Sequence, residues 1–241
     1  MPKKHLGQNF LFDQSILNRI VEASELTISD TVVEIGPGPG ALTKILAKTA
    51  KKIVAIELDV ELSAKLKESL SESKNVEIIH GDALEYPYEK LEPFKIVANI
   101  PYYITTPIIF RLLEARKNLK SMTLTIQREV AERIAASPGN KAYGILSLMV
   151  QYYGTAEVKF IIPKEAFRPA PKVDSAVVHI EILEKPAVMV EDEKLFFRTI
   201  KTAFAQRRKT LSNSLKPLSN NIKKILVSAG IEPARRAETL S

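Results

Sequence analysis

The sequence predicts an α/β fold, a doubly wound Rossmann-like sheet followed by a small all-helical C-terminal domain. Three observations support this prediction. Short β-branched runs alternate with amphipathic helical segments through the first 184 residues, as in a parallel sheet with helices on both faces. A glycine-rich turn ends the first of these runs. Beyond residue 184 the apolar spacing becomes helical, and Lys and Arg outnumber Asp and Glu by 12 to 5.

Each predicted strand is a short apolar run that ends at a polar or glycine-containing turn. The strands are Thr31–Ile35, Lys52–Glu57, Val76–His80, Phe94–Asn99 and Ser121–Gln127, with later runs at Val158–Ile162 and Ser175–Leu183. The last of these alternates in the way that is typical of an antiparallel strand. The intervening helices follow from 3.6-residue apolar spacing: Ser15–Ala23, Ala41–Ala50, Val60–Ser71 and Pro107–Leu119.

The segment from Glu184 to Lys194 contains a proline and a run of charges, so we place a domain boundary there. It divides the chain into residues 1–184 and residues 185–241, and helices are predicted in the second part at Leu195–Gln206, Leu211–Leu215 and Ile222–Ala229. The first part carries 23 Lys and Arg and 23 Asp and Glu, so the whole net charge of +7 lies in the second part. This asymmetry indicates binding to a polyanion; the alternative is a solvated basic helix face without a partner.

Composition excludes several kinds of site. The chain has no cysteine, so disulfides and thiolate catalysis are excluded. The three histidines, at 5, 80 and 179, have no spacing typical of metal ligands, and we expect no metal. The sequence has no apolar run of transmembrane length, and its basic start lacks the apolar core of a signal peptide. We therefore expect a cytoplasmic protein.

Glycine or acidic residues end successive predicted strands, at the edge where open α/β sheets bind ligands. Gly36 and Gly38 follow the first strand and permit close approach of a ligand to the backbone. Glu57 ends the second strand, 21 residues after Gly36, the usual distance for a carboxylate that accepts both ribose hydroxyls. Asp82 follows the third strand and can accept a hydrogen bond from an adenine amine.

This set favours S-adenosylmethionine over a dinucleotide. A dinucleotide-binding turn reads Gly-x-Gly-x-x-Gly, whereas this turn reads Gly-x-Gly-x-Gly. Pro37 and Pro39 also remove two backbone N–H groups that a pyrophosphate would use. S-adenosylmethionine presents a ribose to Glu57, an adenine to Asp82 and a methionine portion to the glycine turn. We therefore predict an S-adenosylmethionine-dependent methyltransferase sheet, with a dinucleotide oxidoreductase as a remote alternative.

The tetrapeptide Asn99-Ile-Pro-Tyr102 follows the fourth strand and suits a nucleobase amine. The side-chain oxygen of Asn99 can accept a hydrogen bond from an exocyclic amine. Pro101 fixes φ and stiffens a turn that directs a carbonyl into the pocket, and Tyr102 offers a flat face for stacking. Adenine N6 is the obvious candidate for the amine. The alternative is a strand-to-loop turn with a chance tyrosine.

The chain closely resembles the KsgA family of rRNA adenine N6,N6-dimethyltransferases, from Gly7 to the last residue. The resemblance is carried by Gly7-Gln-Asn-Phe-Leu11, Glu34-Ile-Gly-Pro-Gly-Pro-Gly-Ala-Leu-Thr43, Ile56-Glu-Leu-Asp59, Gly81-Asp-Ala83, Asn99-Ile-Pro-Tyr-Tyr-Ile-Thr-Thr-Pro107, Gln127-Arg-Glu-Val-Ala131, Phe167-Arg-Pro-Ala-Pro-Lys-Val-Asp-Ser-Ala-Val177 and Arg236-Ala-Glu-Thr-Leu-Ser241. Chains of this family normally continue beyond the Glu-Thr-Leu-Ser segment, so we expect the last helix to be incomplete here.

The resemblance implies which residues hold the cofactor and the base. Asn9 and Leu11 close over the cofactor from the N-terminal segment. The remaining cofactor contacts come from strand ends: Gly36, Gly38, Glu57, Asp82, Ala83 and Asn99. At the target, Asn99 and the main-chain carbonyl of Ile100 each accept one N6–H. The base then stacks between Tyr102 and Phe167.

The resulting hypothesis is an enzyme that dimethylates N6 of two adjacent adenines in a hairpin near the 3′ end of 16S rRNA, within the small ribosomal subunit. We expect it to act as a monomer in ribosome biogenesis and to use Arg207, Arg208 and Lys209 for RNA phosphates. One alternative is a 23S rRNA adenine methyltransferase of the macrolide-resistance type. Another is a non-catalytic RNA-binding assembly factor that retains the fold.

Overall fold

The computed structural model describes residues 7–206 and 208–240 and divides into two compact units. The first, here called the α/β unit, comprises Met1–Ala131 and Thr155–Ile182. The second, the helical unit, comprises Glu132–Gly154 and Leu183–Ser241. Among the described residues, every helix is too short or too polar to cross a bilayer.

A seven-stranded sheet forms the centre of the α/β unit, in the strand order β4-β3-β2-β5-β6-β9-β7. Its strands are β2 (Thr31–Ile35), β3 (Lys52–Glu57), β4 (Val76–His80), β5 (Phe94–Asn99), β6 (Leu119–Gln127), β7 (Gly154–Ile162) and β9 (Ser175–Ile182). The short strands β1 (Phe10–Leu11) and β8 (Phe167–Arg168) form a separate two-stranded ribbon. Strands β2 to β6 pair in parallel, and β9 runs antiparallel to β6. The order reverses between β2 and β5, which creates a crevice at their carboxyl ends.

The helices of the α/β unit are α1 (Gln14–Ala23), α2 (Ala41–Thr49), α3 (Val60–Ser69), α4 (Thr105–Glu114) and α5 (Arg128–Ile134), which continues into the helical unit. Two of them, α1 and α3, begin at an aspartate cap. Asp13 caps α1 by accepting hydrogen bonds from the backbone N–H groups of Ser15 and Ile16. Asp59 caps α3 in the same way. These two caps fix where α1 and α3 begin, and so they position the residues just before them.

Strand predictions agree with the structure better than helix predictions do. Four of the first five predicted strands have the predicted limits, because short β-branched runs between turns leave little choice of register. The helix predicted at Pro107–Leu119 is wrong at both ends, since α4 begins at Thr105 and Leu119 opens β6. Asn118 causes the early end: its side chain donates hydrogen bonds to the carbonyls of Glu89 and Leu91 and fixes a turn.

The helical unit contains α6 (Ile145–Tyr153), α7 (Glu193–Phe204), α8 (Leu211–Ser214) and α9 (Ile222–Ser228). Its small core consists of Ala203, Leu211, Leu215, Ile222, Leu226 and Ala237. The unit confirms the predicted all-helical domain, but its limits differ from the predicted boundary at residue 184. Residues 132–154 also belong to it.

Contacts between α6 and α7 explain this difference. The ring of Tyr152 lies 5.0 Å from that of Phe196 and 5.1 Å from that of Phe197, centroid to centroid. The Tyr153 hydroxyl donates a hydrogen bond to a carboxylate oxygen of Glu193, at 3.0 Å. Sequence reasoning missed α6 because its residues are almost all apolar, so no polar face reveals a helical period.

Candidate active site

A cavity of about 210 Å³ opens at the carboxyl ends of β2, β3 and β5, where the strand order reverses. It is several times larger than the volume of one water molecule, roughly 30 Å³, so it suits a small-molecule ligand. Residues from the strand ends and from the N-terminal segment line it: Gly7, Gln8, Asn9, Phe10, Ile35, Gly36, Gly38, Ile56, Glu57, Leu58, Gly81, Asp82, Ala83, Leu84, Asn99, Ile100, Pro101, Tyr102, Tyr103 and Ile104.

The glycine turn provides a floor without side chains. Gly36 has φ of +67°, and its N–H donates to the carbonyl of Ile56 at 2.9 Å. A Cβ at Gly36 would find no atom nearer than 3.7 Å, so the absent side chain leaves open space in the lining. Gly38 has φ of +55°, and a Cβ there would lie 2.7 Å from the ring of Phe10. Both positions therefore require glycine.

Glu57 is a buried carboxylate at the edge of the cavity, with 5% of its surface exposed. Its Oε2 accepts a hydrogen bond from the N–H of Gly38 at 3.0 Å, and its Oε1 accepts one from the N–H of Asp59 at 2.9 Å. Burial raises the pKa of Glu57, and these two hydrogen bonds oppose that rise. Each oxygen keeps a second acceptor position, as a ribose diol requires.

Asp82 and Ala83 follow β4 and also line the cavity. Oδ1 of Asp82 accepts a hydrogen bond from the N–H of Leu84 at 2.8 Å, which holds the carboxylate in place. Its Oδ2 has no hydrogen-bond partner in the part of the chain that the structure describes. A fixed carboxylate with one open oxygen is suited to accept from an exocyclic amine.

The amide of Asn99 is oriented by the N-terminal segment. Its Nδ2 donates to the carbonyl of Asn9 at 3.0 Å, and the side chain of Asn9 donates to the carbonyl of Gly7 at 3.1 Å. This hydrogen bond directs the Nδ2 end of the Asn99 amide towards Asn9, and the acceptor Oδ1 points the other way. The site can thus present an acceptor to a ligand at the end of β5.

The loop after Asn99 is equally constrained. The N–H of Ile100 donates to the carbonyl of Thr125 on β6 at 3.0 Å, and Pro101 has φ of −56°. The hydroxyl of Tyr102 and that of Ser175 lie 2.7 Å apart and share a hydrogen bond. Burial raises the pKa of Tyr102, so its hydroxyl stays protonated at neutral pH. The ring is therefore held against the cavity as a neutral aromatic surface.

Comparison with known proteins identifies the chain. The family described as ribosomal RNA adenine dimethylase matches residues 2–241. The chain belongs to the ribosomal RNA adenine dimethylase family. This membership confirms the predicted enzyme class, an S-adenosylmethionine-dependent rRNA adenine methyltransferase, and confirms the predicted cofactor. The cavity fits that cofactor, since it combines an open glycine turn, a buried carboxylate and a fixed acceptor at Asp82.

Sequence relatives of the dimethylase share about half of its residues. Proteins named ribosomal RNA small subunit methyltransferase A are 49% identical in Shouchella clausii and 48% identical in Clostridium botulinum. Each alignment covers 99% of this chain, and 86% and 89% of the two relatives respectively. The prediction of the KsgA family is confirmed.

Solved structures with the same fold are more distant in sequence. A dimethyladenosine transferase from Plasmodium falciparum superposes with a TM-score of 0.82 at 26% identity, covering 96% of this chain and 93% of that one. The 23S rRNA methyltransferase ErmE gives a TM-score of 0.79 at 29% identity, covering 97% and 95%. The predicted methyltransferase fold is therefore confirmed.

Two residues expected in the dimethylase site lie elsewhere. Phe167 is fully buried in the core, and Leu11 is 5% exposed; neither lines the cavity. They are paired across the two-stranded ribbon of β1 and β8. The roles predicted for Phe167 against the base and for Leu11 over the cofactor stay predictions; in this ribbon both side chains face inwards and pack with residues such as Val177.

Some cavity residues were not predicted as site residues. Tyr103 has 54% of its surface exposed, lines the cavity and contacts Gly7, since a Cβ at Gly7 would meet its ring at 3.2 Å. Gln8 lines the cavity and donates from Nε2 to Asp59 at 3.3 Å. Phe10 packs against the glycine turn. Gln8 and Phe10 lie in the segment Gly7–Leu11, which carries part of the family resemblance, and Tyr103 is next to Tyr102. Proximity in sequence to a predicted site residue was therefore the signal that could have identified them.

A second buried carboxyl lies behind the glycine turn. Glu34 is 2% exposed, and its Oε2 has no hydrogen-bond partner among the described residues. Burial raises the pKa of Glu34 to about 8, and the nearby charge of Glu57 adds to this rise. Glu34 is therefore largely protonated at neutral pH.

The basic cluster predicted to bind RNA belongs to the helical unit. Arg208 and Lys209 are exposed and follow α7, while Arg207 lies outside the described residues. Among residues 7–206 and 208–240, no group of three or more His, Asp or Glu side chains could hold a metal ion.

Proposed function

We propose that this dimethylase transfers methyl groups to N6 of two adjacent adenines in a hairpin near the 3′ end of 16S rRNA, within the small ribosomal subunit. The relatives of highest identity given above carry small-subunit names, which favours this substrate. The observation that carries the chemistry is the orientation of the Asn99 amide, whose Nδ2 donates to the Asn9 carbonyl so that its Oδ1 points the other way. The proposal includes a monomeric enzyme in the cytoplasm, as expected for work on ribosomal RNA.

Binding of the cofactor rests on the strand ends. S-adenosylmethionine, when bound, supplies a methyl group on a cationic sulfur that is open to attack by a nucleophile. Glu57 accepts the ribose hydroxyls through the acceptor positions left beside Gly38 and Asp59. Oδ2 of Asp82 accepts from the amine of the cofactor's adenine, beside Ala83. Gly36 gives the methionine portion room to lie close to the backbone.

Activation of the target amine rests on Asn99 and Ile100. The N6 lone pair of adenine is delocalised into the ring, so the free amine is a poor nucleophile. Acceptance of one N6–H by Asn99 Oδ1 and of the other by the Ile100 carbonyl directs lone-pair density out of the ring plane. Both acceptors also stabilise the positive charge that develops on N6. Tyr102, fixed by Ser175, stacks against the base.

RNA binding is proposed for the helical unit, through residues 207–209 and the exposed face of α7. A groove along that helix is lined by Lys194, Arg198 and Lys201 together with Phe197. These three cations recur at helical spacing, so they share one face. None has an ionic partner among the described residues, which leaves them available to phosphates.

One assay tests the proposed function directly. Purified enzyme is incubated with tritiated S-adenosylmethionine and, separately, with small subunits that lack the modification and with large-subunit RNA. We expect label in the small-subunit RNA, recovered as N6,N6-dimethyladenosine. Label confined to large-subunit RNA would instead indicate a 23S rRNA adenine methyltransferase of the macrolide-resistance type. Absence of label in both, with RNA binding retained, would indicate the non-catalytic assembly factor.

A further inference from the structure

We propose that a hollow beside the cavity is a second nucleotide site, which holds the nucleotide next to the target adenosine. This proposal rests on the proposed function, because it assumes that the cavity receives an adenine from RNA. The hollow, here called the aromatic hollow, is lined chiefly by Phe10, Phe12 and Arg168 over Pro39 and Leu62.

The two-stranded ribbon creates the aromatic hollow. Leu11 pairs with Phe167 and Phe10 pairs with Arg168. Because successive side chains of a strand point to opposite sides, Leu11 and Phe167 enter the core together. Phe10 and Arg168 then share the opposite face, and Phe12 follows Phe10 at the spacing that continues this face. Because Leu11 and Phe167 are buried in the core, the side chains of Phe10 and Arg168 lie on the outer face of the ribbon.

The aromatic hollow adjoins the active-site cavity. Gln8 and Phe10 line both. The hollow has a volume of about 430 Å³, within the range of small-molecule sites, roughly 300–1,000 Å³. A chain whose adenine occupies the cavity therefore has, on the other side of Gln8 and Phe10, a space large enough for one more nucleotide.

Phe12 supplies the stacking surface. It is 52% exposed, and its ring meets that of Phe10 edge to face at a centroid distance of 6.4 Å. This contact covers part of Phe12, and about half of its surface stays in water. Aromatic faces of this kind stack on any nucleobase, because every base has a π surface. The site is expected to accept different bases.

Arg168 supplies the phosphate contact. Its Nη1 donates to the carbonyls of Glu165 and Phe167, at 2.7 and 3.0 Å. These hydrogen bonds fix the guanidinium, whereas its Nε and Nη2 have no acceptor in the described ranges. A fixed guanidinium with free N–H groups is suited to a phosphate oxygen. Because no Asp or Glu lines the hollow, an anionic ligand meets no opposing carboxylate.

Dinucleotide binding tests this site. The cofactor site is first filled with saturating S-adenosylhomocysteine, so that nucleotides cannot bind there. Affinities are then measured by ligand-observed NMR for adenosine, adenylyl-cytidine and cytidylyl-adenosine. We expect at least one dinucleotide to bind about fivefold or more tightly than adenosine, the lower end of what one stacked base contributes. The dinucleotide that binds more tightly shows whether the hollow holds the nucleotide on the 3′ side or the one on the 5′ side of the target adenosine.

Variants assign the gain to named side chains. Phe12→Ala should remove the dinucleotide advantage and leave adenosine affinity unchanged, while Phe12→Tyr should retain it. Arg168→Gln should reduce the advantage and its dependence on salt. The matched controls are Ile28→Ala, an apolar side chain that is 86% exposed, and Lys48→Gln, an exposed lysine of α2. Both should behave as wild type.

Several results would overturn the proposal that the aromatic hollow binds a nucleotide. Equal affinities for adenosine and both dinucleotides would do so, as would an advantage that persists in Phe12→Ala, or failure of adenosine itself to bind. If the advantage is present and depends on Phe12 but small subunits receive no label, the proposed function fails and the nucleotide site stands. If subunits are labelled and no advantage exists, only the nucleotide site fails.

Discussion

The α/β unit and the helical unit differ in net charge and in whether they bury charged side chains. The α/β unit has 21 Lys and Arg against 21 Asp and Glu, whereas the helical unit has 14 against 7. Among the described residues, the buried carboxyl groups Glu34, Glu57 and Asp59 all belong to the α/β unit. The polar residues buried in the helical unit are serines. The first unit thus holds individual charges in its interior, and the second displays an excess of charge to solvent.

This difference follows from the two tasks proposed for the units. A carboxylate that orients a ligand is effective where little water competes for it, so burial increases its influence. Cations that bind a phosphate backbone must remain hydrated and exposed until RNA replaces the water and counterions. We therefore expect substitutions in the α/β unit to change catalysis and cofactor binding, and substitutions in the helical unit to change RNA affinity.

The largest effect is expected from Asn99→Ala. Turnover should fall on the order of a hundredfold to a thousandfold, the range found when one charge-stabilising group is removed from an active site, while RNA affinity stays within about twofold. Single-turnover methylation and filter binding measure the two quantities. Asn18→Ala, an exposed asparagine in α1, is the control. Methylation by Asn99→Ala at the wild-type rate would remove Asn99 from the mechanism.

Glu34 should give the α/β unit a pH-dependent stability. Its pKa is about 8 in the folded protein and 4.5 in the unfolded chain. Its favourable contribution is therefore complete below pH 4.5 and is lost as the pH rises to about 8, because the unfolded chain releases the proton first. We expect the free energy of unfolding of wild type to fall by roughly 4 kcal/mol more than that of Glu34→Gln over this range.

Urea unfolding followed by circular dichroism at several pH values measures this difference. Glu68→Gln, which changes an exposed carboxylate of α3, should keep the wild-type slope. Parallel pH profiles for wild type and Glu34→Gln would show that the buried carboxyl titrates at the same pH in both states.

Charge reversal in the helical unit should weaken RNA binding and leave cofactor binding unchanged. Changing residues 207–209 to Glu should weaken binding of small subunits on the order of tenfold at 0.15 M salt. The slope of log affinity against log salt should become shallower by about one for each lost phosphate contact. Cofactor affinity, measured by calorimetry, should not change. An unaltered salt slope would mean that this cluster faces only solvent.

The control for this reversal changes the same number of charges in the α/β unit. Lys44, Lys48 and Lys51 are exposed around α2, and their reversal to Glu should leave subunit binding nearly unchanged. An equal loss of affinity in both triple variants would break the comparison between the units. It would mean that net charge, and not its location, determines RNA affinity.

An effect much smaller than that of Asn99→Ala is expected from Glu57→Ala. Cofactor affinity should weaken on the order of tenfold, because two hydrogen bonds to the ribose are lost. RNA affinity should stay the same. Calorimetry with S-adenosylmethionine measures the change, and Glu85→Ala, an exposed carboxylate near the cavity, serves as control. Wild-type affinity in Glu57→Ala would reject the ribose assignment.

Sequence reasoning predicted the strand ends of the site well and its other parts less well. Glu57, Asp82 and Asn99 line the cavity as predicted, because residues that end parallel strands must meet at one edge of the sheet. The burial of Phe167 was not predicted, because its motif gives no register for the β1–β8 ribbon. A shift of one residue exchanges the inward and outward faces of a strand.

The sequence by itself determined the parallel sheet, the glycine turn and the separation of charge, because each depends on local pattern or on composition. Tertiary structure decided what depends on contacts distant along the chain. It joined residues 132–154 to the helical unit through α6 and α7, and it fixed the Asn99 amide through Asn9, 90 residues away. A local pattern specifies which groups are available, but only the folded chain determines which of them meet.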